Sequence, residues 1–133
     1  MNNPYLNTPL SKLSKIQINT ISVNIFKWAR KKFKNAPSRL KLKLSGAYKK
    51  RTGAYGEYDF DKKIMFIYYR NIRMVKDLIE VVLHEFKHSL QDGDKYTALF
   101  YKYSYYSHPY EIAACNFSKK RIYNCWNNIQ HNI

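Results

Sequence analysis

One stretch decides the fold, namely Leu78-Ile79-Glu80-Val81-Val82-Leu83-His84-Glu85-Phe86-Lys87-His88-Ser89-Leu90. Its apolar residues recur with the 3.6-residue period of a helix and predict a buried sector: Ile79, Val82, Leu83, Phe86 and Leu90. His84 and His88 are four residues apart, so they lie on one face, separated by one turn. Glu85 lies beside them and can handle a proton. The pattern His-Glu-x-x-His on a helix is typical of zinc-dependent hydrolases.

A catalytic zinc site needs a third protein ligand, and the sequence offers several candidates. They are the other two histidines and the acids that follow the motif: His108, His131, Asp92, Asp94 and Glu111. Glu111 is the strongest, because it lies 23 positions after His88 at the start of a predicted helix. Small residues at i+3, i+4 and i+7 from it would let this helix approach the metal helix closely: Ala114, Cys115 and Ser118. Glu111 is also the kind of first-turn acid that a helix dipole favours, and His108 stays a second candidate.

The charge of the chain is concentrated in its first half. The net charge is +15, and 13 Lys or Arg residues with no acid precede Glu57. Such a field attracts polyanions, so nucleic acid is a candidate partner through basic residues 12–51. A solvated basic surface explains the same count without any partner.

Length and composition predict one domain over residues 1–133, with an irregular lead-in at 1–14. No segment approaches the roughly 20 apolar residues of a membrane span. The first 13 residues lack the basic and apolar regions of a signal peptide, which predicts an intracellular protein. Two cysteines are too few for a disulfide framework, and a monomer is expected.

Three elements are predicted before the metal helix. A basic amphipathic helix runs from about Ile16 to Lys34; it could lie on a membrane surface, but in so small a domain a packed helix is favoured. Arg39–Leu44 alternates cation and leucine, which predicts a half-buried edge strand. Glu57–Phe60 and Ile64–Tyr69 predict a hairpin.

Between the edge strand and the hairpin, the cluster Lys49-Lys50-Arg51 with Tyr48 and Tyr55 is a candidate phosphate contact, although a loop of lysines is usually only a loop.

Three further helices follow along the chain. The metal helix is expected over about Met74–Gln91, and Asp92-Gly93-Asp94 is expected to stop it. A short helix is predicted within Lys95–Ser107. A last helix opens at His108-Pro109 and is predicted to run to about Asn127.

The chain resembles the small intracellular zincin-type metalloproteases, meaning the SprT-like proteases and the minimal gluzincin-type peptidases typified by ImmA/IrrE. The resemblance rests on the strand and hairpin over Leu40–Tyr69, on Val82–His88, and on Glu111–Phe117, which looks like their Glu-x-x-Ala-x-x-Phe segment. It implies an α+β fold with an N-terminal helix, a small three-stranded mixed sheet, a metal-binding helix and a C-terminal helix. It also implies an edge strand that aligns an extended peptide. SprT-like proteins use a histidine commonly followed by glycine; His108 is followed by Pro109, which favours the glutamate.

The function expected from these patterns is that of a zinc-dependent metallopeptidase acting on an intracellular protein or peptide. Zn²⁺ would be held by His84, His88 and Glu111, with Glu85 as the base. A tyrosine would steady the oxyanion, and the sequence does not choose among Tyr103, Tyr105, Tyr106 and Tyr110. One alternative is a non-enzymatic basic nucleic-acid-binding module with a structural zinc site; another is a membrane-surface protein led by the basic helix.

Overall fold

The computed structural model describes residues 5–47 and 54–133. In this part of the chain there are five α-helices and three strands. Their bounds are α1 Lys15–Lys32, β1 Lys41–Ser45, β2 Gly56–Asp59, β3 Ile64–Tyr68, α2 Val75–Ser89, α3 Gly93–Phe100, α4 Pro109–Lys119 and α5 Ile122–Ile129. The predicted α+β class and the small three-stranded sheet are confirmed. The cluster Lys49-Lys50-Arg51, with Tyr48, lies outside the described residues.

The predicted basic helix is confirmed as α1, within two residues at each end. The Ser14 side chain accepts a hydrogen bond from Gln17 N, and Ser14 N donates to Gln17 Oε1. This reciprocal cap satisfies two backbone donors that a helix start leaves free. The buried stripe follows the predicted spacing: Ile18, Ile21, Ile25 and Ala29.

The lead-in is less irregular than its composition predicts. Leu10 begins a short 3₁₀ turn, is buried in the core, and donates its N–H to Arg73 O at 2.9 Å. Val75 N in turn donates to Thr8 O at 3.0 Å. These bonds fasten the lead-in to the start of α2, since they satisfy N–H groups that a helix leaves unpaired.

The sheet has the strand order β1-β3-β2, with β1 parallel and β2 antiparallel to β3. It is therefore mixed, as predicted, and β1 and β2 form its two edges. Met65 and Ile67 of β3 are fully buried, so alternate residues face outward. The register puts the outward residues in two cross-strand rows: Lys43–Phe66–Glu57 and Lys41–Ile64–Asp59.

The helix α2 forms the centre of the core, and its bounds match those of the predicted helix to within two residues. Its apolar sector faces the sheet, α1 and α5, and Val82, Leu83 and Phe86 have no exposed surface. Asp92 not only follows α2 but also begins α3, because its side chain accepts from Asp94 N and Lys95 N. No described helix is both long and apolar enough to cross a membrane.

The prediction of one last helix is wrong, because the chain turns at Lys120–Arg121 and forms two helices. The buried residues still follow one helical stripe: Glu111, Ala114, Ser118, Ile122, Cys125 and Ile129. The turn lets the first part of the stripe pack on α2 while the second part packs mainly on α1. Arg121 Nη1 donates to Phe117 O at 3.1 Å and satisfies a carbonyl at the break.

Candidate metal centre

Three side-chain atoms from α2 and α4 converge at one point. His84 Nε2 lies 2.9 Å and His88 Nε2 lies 3.0 Å from Glu111 Oε1, and the two nitrogens are 3.2 Å apart. The histidines share a face of α2 because they are four residues apart. Glu111 reaches them because Ala114 and Ser118, on the same side of α4, are fully buried and small.

The hydrogen bonds around His88 are compatible with a proton or a metal ion between these atoms. Gln91 Nε2 donates to Tyr110 O at 3.1 Å, which directs Gln91 Oε1 at His88 Nδ1, 2.6 Å away. An amide oxygen only accepts, so Nδ1 carries the proton and Nε2 of the neutral ring carries a lone pair. That lone pair faces Glu111 Oε1, which is also an acceptor. Two acceptors 3.0 Å apart need a proton or a metal ion beside them.

The donor set and its spacing fit zinc. Nitrogen and carboxylate ligands of tetrahedral zinc lie at about 2.0–2.2 Å from the ion, so they stand about 3.3 Å from one another. The observed separations of 2.9, 3.0 and 3.2 Å are close to that value. His84 Nδ1 contacts Cys115 Sγ at 3.6 Å. A proton on Nδ1 leaves the lone pair of His84 Nε2 available to a metal ion.

A group of His84, Glu85 and His88 could also hold a metal ion, since its ligand atoms all lie within 4.8 Å of one another. Glu111 Oε1 is closer to the two histidines, since it lies within 3.0 Å of both imidazole nitrogens.

Glu85 is only 6% exposed, and no hydrogen bond reaches its carboxylate from residues 5–47 or 54–133. Burial raises its pKa to about 7, although the neighbouring charges of His84 and His88 oppose that change. A carboxyl group with a pKa near neutrality can both take and return a proton at physiological pH. This environment is typical of a general base.

The pKa of Glu111 is shifted in the opposite direction to that of Glu85. Burial favours the neutral form of Glu111, yet hydrogen bonds with His84 and His88 outweigh it and hold the Glu111 pKa well below its usual range. Burial likewise favours neutral His88, but the bond to Glu111 and the charge of Glu85 raise the His88 pKa. Without a metal, the cluster therefore favours an imidazolium–carboxylate pair.

Two tyrosines border Glu111, and sequence reasoning found only one of them. Tyr96, on α3, donates its hydroxyl hydrogen bond to Glu111 Oε2. Burial, followed by that bond, raises the Tyr96 pKa. Tyr105 was among the four predicted oxyanion candidates; its side chain is 53% exposed, and partial burial with the charges of Glu111 and Glu85 raises its pKa. Tyr106, by contrast, is 90% exposed.

The remaining ligand candidates lie elsewhere. His108 is fully buried, but its Nδ1 accepts from Tyr110 N and its Nε2 bonds to Tyr96 O, so it caps α4. Asp92 caps α3, and Asp94 lies exposed in its first turn. His131 is exposed in the last 3₁₀ turn.

Comparison with protein-family models, with curated proteins and with solved structures gave no match.

Proposed function

We propose that this chain is a zinc-dependent metallopeptidase. The observation that carries the proposal is the convergence of His84 Nε2, His88 Nε2 and Glu111 Oε1 within 3.2 Å of one another, with the buried carboxylate of Glu85 beside them. Two imidazoles and one carboxylate are the ligand set of catalytic zinc sites that keep one position open for water. A structural site would use a fourth protein ligand instead.

Each residue of the site has a distinct task. When bound, zinc supplies a Lewis acid that polarises a carbonyl oxygen and lowers the pKa of water to about 7. Glu85 takes the proton from the attacking water and passes it to the leaving amine. Tyr105, whose pKa is raised by partial burial and by the charge of Glu111, would donate a hydrogen bond from its hydroxyl to the developing oxyanion. Gln91 holds the His88 ring, and Tyr96 holds the Glu111 carboxylate, in the orientation that binding requires.

The proposal is tested by substituting Glu85→Gln and measuring metal content, folding and cleavage of an unfolded protein substrate. A peptidase keeps one zinc per chain and its circular dichroism spectrum, but loses about 10²- to 10⁴-fold in activity with its base. The matched control is Glu80→Gln, an acid on the same helix that takes no part in the cluster. Wild-type protein that holds no stoichiometric zinc, or a Glu85→Gln protein that cleaves normally, would contradict the proposal.

A second candidate function is a basic nucleic-acid-binding module with a structural zinc site. The observation that favours it is the location of the cations, since Lys27 and Lys31 on α1 and Lys41 and Lys43 on β1 are all exposed. Phosphate contacts make affinity fall steeply with salt. Binding to single-stranded DNA that is unchanged by salt, or by Lys41→Ala with Lys43→Ala, would remove this candidate.

A further inference from the structure

The edge strand β2 runs alongside the candidate metal centre. At its start, a Cβ on Gly56 would stand 2.9 Å from Val81 Cγ1 and 3.1 Å from Glu85 Cγ, so the strand lies directly on α2. Just past its end, the Phe60 ring centroid is 6.1 Å from that of His88. The strand therefore spans the distance between the base and a metal ligand. Among residues 5–47 and 54–133, no strand pairs with its outer edge.

A groove adjoins β2. It has a volume of about 690 Å³ and is lined by β2, by Lys63 and Phe66 beside it, and by residues from the end of α2 to the first part of α3. Gln91 lines it and bonds to His88, so the groove adjoins the centre. This volume is within the range of about 300–1,000 Å³ that is usual for ligand sites.

The groove is acidic although the chain is strongly basic. Of the nine Asp and Glu residues in the chain, five line it: Glu57, Asp59, Asp61, Asp92 and Asp94. Lys63 is the one cation among the lining residues that the structure describes. Asp61 and Asp94 are exposed, and neither forms an ion pair within the described ranges. The summed field of these carboxylates attracts cations and repels polyanions.

We propose that this groove receives an extended peptide with lysine or arginine side chains, paired along the outer edge of β2. The proposal rests on the peptidase function and names the substrate class of the same site. Pairing with a sheet edge supplies main-chain hydrogen bonds, and side chains supply the selectivity. Glu57 and Asp59 are two residues apart, so their side chains lie on one face of β2. A paired strand sets its own alternate side chains beside them, which favours two basic residues separated by one.

The test measures binding with Glu85→Gln, which does not require cleavage. Labelled ten-residue peptides differ only at their centre, which reads Lys-Thr-Lys, Lys-Lys-Thr or Glu-Thr-Glu, and affinity is followed by fluorescence anisotropy. The first is expected to bind about tenfold more tightly than the third, and more tightly than the second, with the preference weakening as salt rises. Neutralising Asp61 or Asp94 to Asn is expected to weaken Lys-Thr-Lys binding about two- to fivefold each.

The matched control is Asp77→Asn, which makes the same change of charge in the first turn of α2, outside the groove. Equal affinity for the three peptides overturns the proposal, as does an effect of Asp61→Asn no greater than that of Asp77→Asn. The proposal and the function on which it rests fail separately. A wild-type protein that cleaves regardless of charge retains the function and loses the groove assignment. A protein that prefers Lys-Thr-Lys but cleaves nothing retains the groove assignment and loses the peptidase function.

Discussion

The burial of Glu85 predicts a definite pH dependence for the stability of the metal-free protein. Its carboxyl pKa rises from an ordinary 4.5 to about 7 on folding, chiefly because the side chain is buried. Each tenfold change in proton affinity is worth about 1.36 kcal/mol, so the shift corresponds to about 3 kcal/mol. Because the Glu85 pKa is higher in the folded protein, the folded state binds the proton more tightly than the unfolded chain, and protonation stabilises the fold. The contribution is fully present below pH 4.5 and is lost as the pH rises through 7.

The Glu85→Gln variant does not lose this stability as the pH rises, because an amide does not titrate. In chelator, the free energy of unfolding of the variant minus that of the wild type is expected to grow by about 3 kcal/mol between pH 4 and pH 8. The amide has its own cost of burial, but that cost shifts the whole curve and leaves its pH dependence unchanged. The measurement is urea denaturation, followed by circular dichroism, at four pH values.

Zinc gives the experiment a second arm. A cation beside Glu85 favours the carboxylate and lowers its pKa, so the pH dependence should flatten when the metal is restored. Glu80→Gln, on the same helix but partly exposed, is the control and should follow the wild type. Parallel curves for Glu85→Gln and the wild type in chelator would refute the reasoning, since they would mean that Glu85 titrates normally in the folded protein.

Three further perturbations follow from particular contacts. Gln91→Ala frees the ring of His88 and should weaken zinc affinity by about 10- to 100-fold with little change in folding, as measured with a competing chelator. Gly56→Ala should destabilise the protein by about 1–3 kcal/mol in urea, because the new methyl group meets Val81 and backbone; Gly46→Ala, whose nearest contact is the hydroxyl end of Tyr69, should cost less. Lys63 has a positive φ of 56°, so Lys63→Gly should be neutral or stabilising by up to about 1 kcal/mol, whereas a loss of stability would show that its side chain matters more than its backbone.

Much of the fold could be predicted from periodicity alone. The helices α1 and α2 and the hairpin of β2 and β3 are found within about two residues of their predicted bounds, since their apolar spacing has one consistent reading. The break after Lys120 could not be predicted, because the buried stripe continues through it without a change of phase. The helix breaks because its first part packs on α2 and its second part mainly on α1, and this is a tertiary effect.

Some residues of the candidate site could likewise be predicted from the sequence, and others could not. Glu111 could be selected from the sequence by its distance along the chain and by the small residues that follow it. Tyr96 could not, because it is one of 13 tyrosines and its approach to Glu111 depends on where α3 starts. The contact of Gln91 with His88 could have been predicted from the sequence. Gln91 lies three residues after His88, so the two side chains lie on the same face where α2 ends.

The outward side chains of the small sheet change in charge from one edge of the sheet to the other. Lysines stand on β1, apolar residues on β3 and carboxylates on β2, so the sign of the surface charge reverses over two strand spacings, or about 10 Å. That distance is comparable to the screening length at physiological salt. A long charged molecule therefore meets this face with a preferred orientation before any contact forms. Anions are attracted toward β1 and cations toward β2.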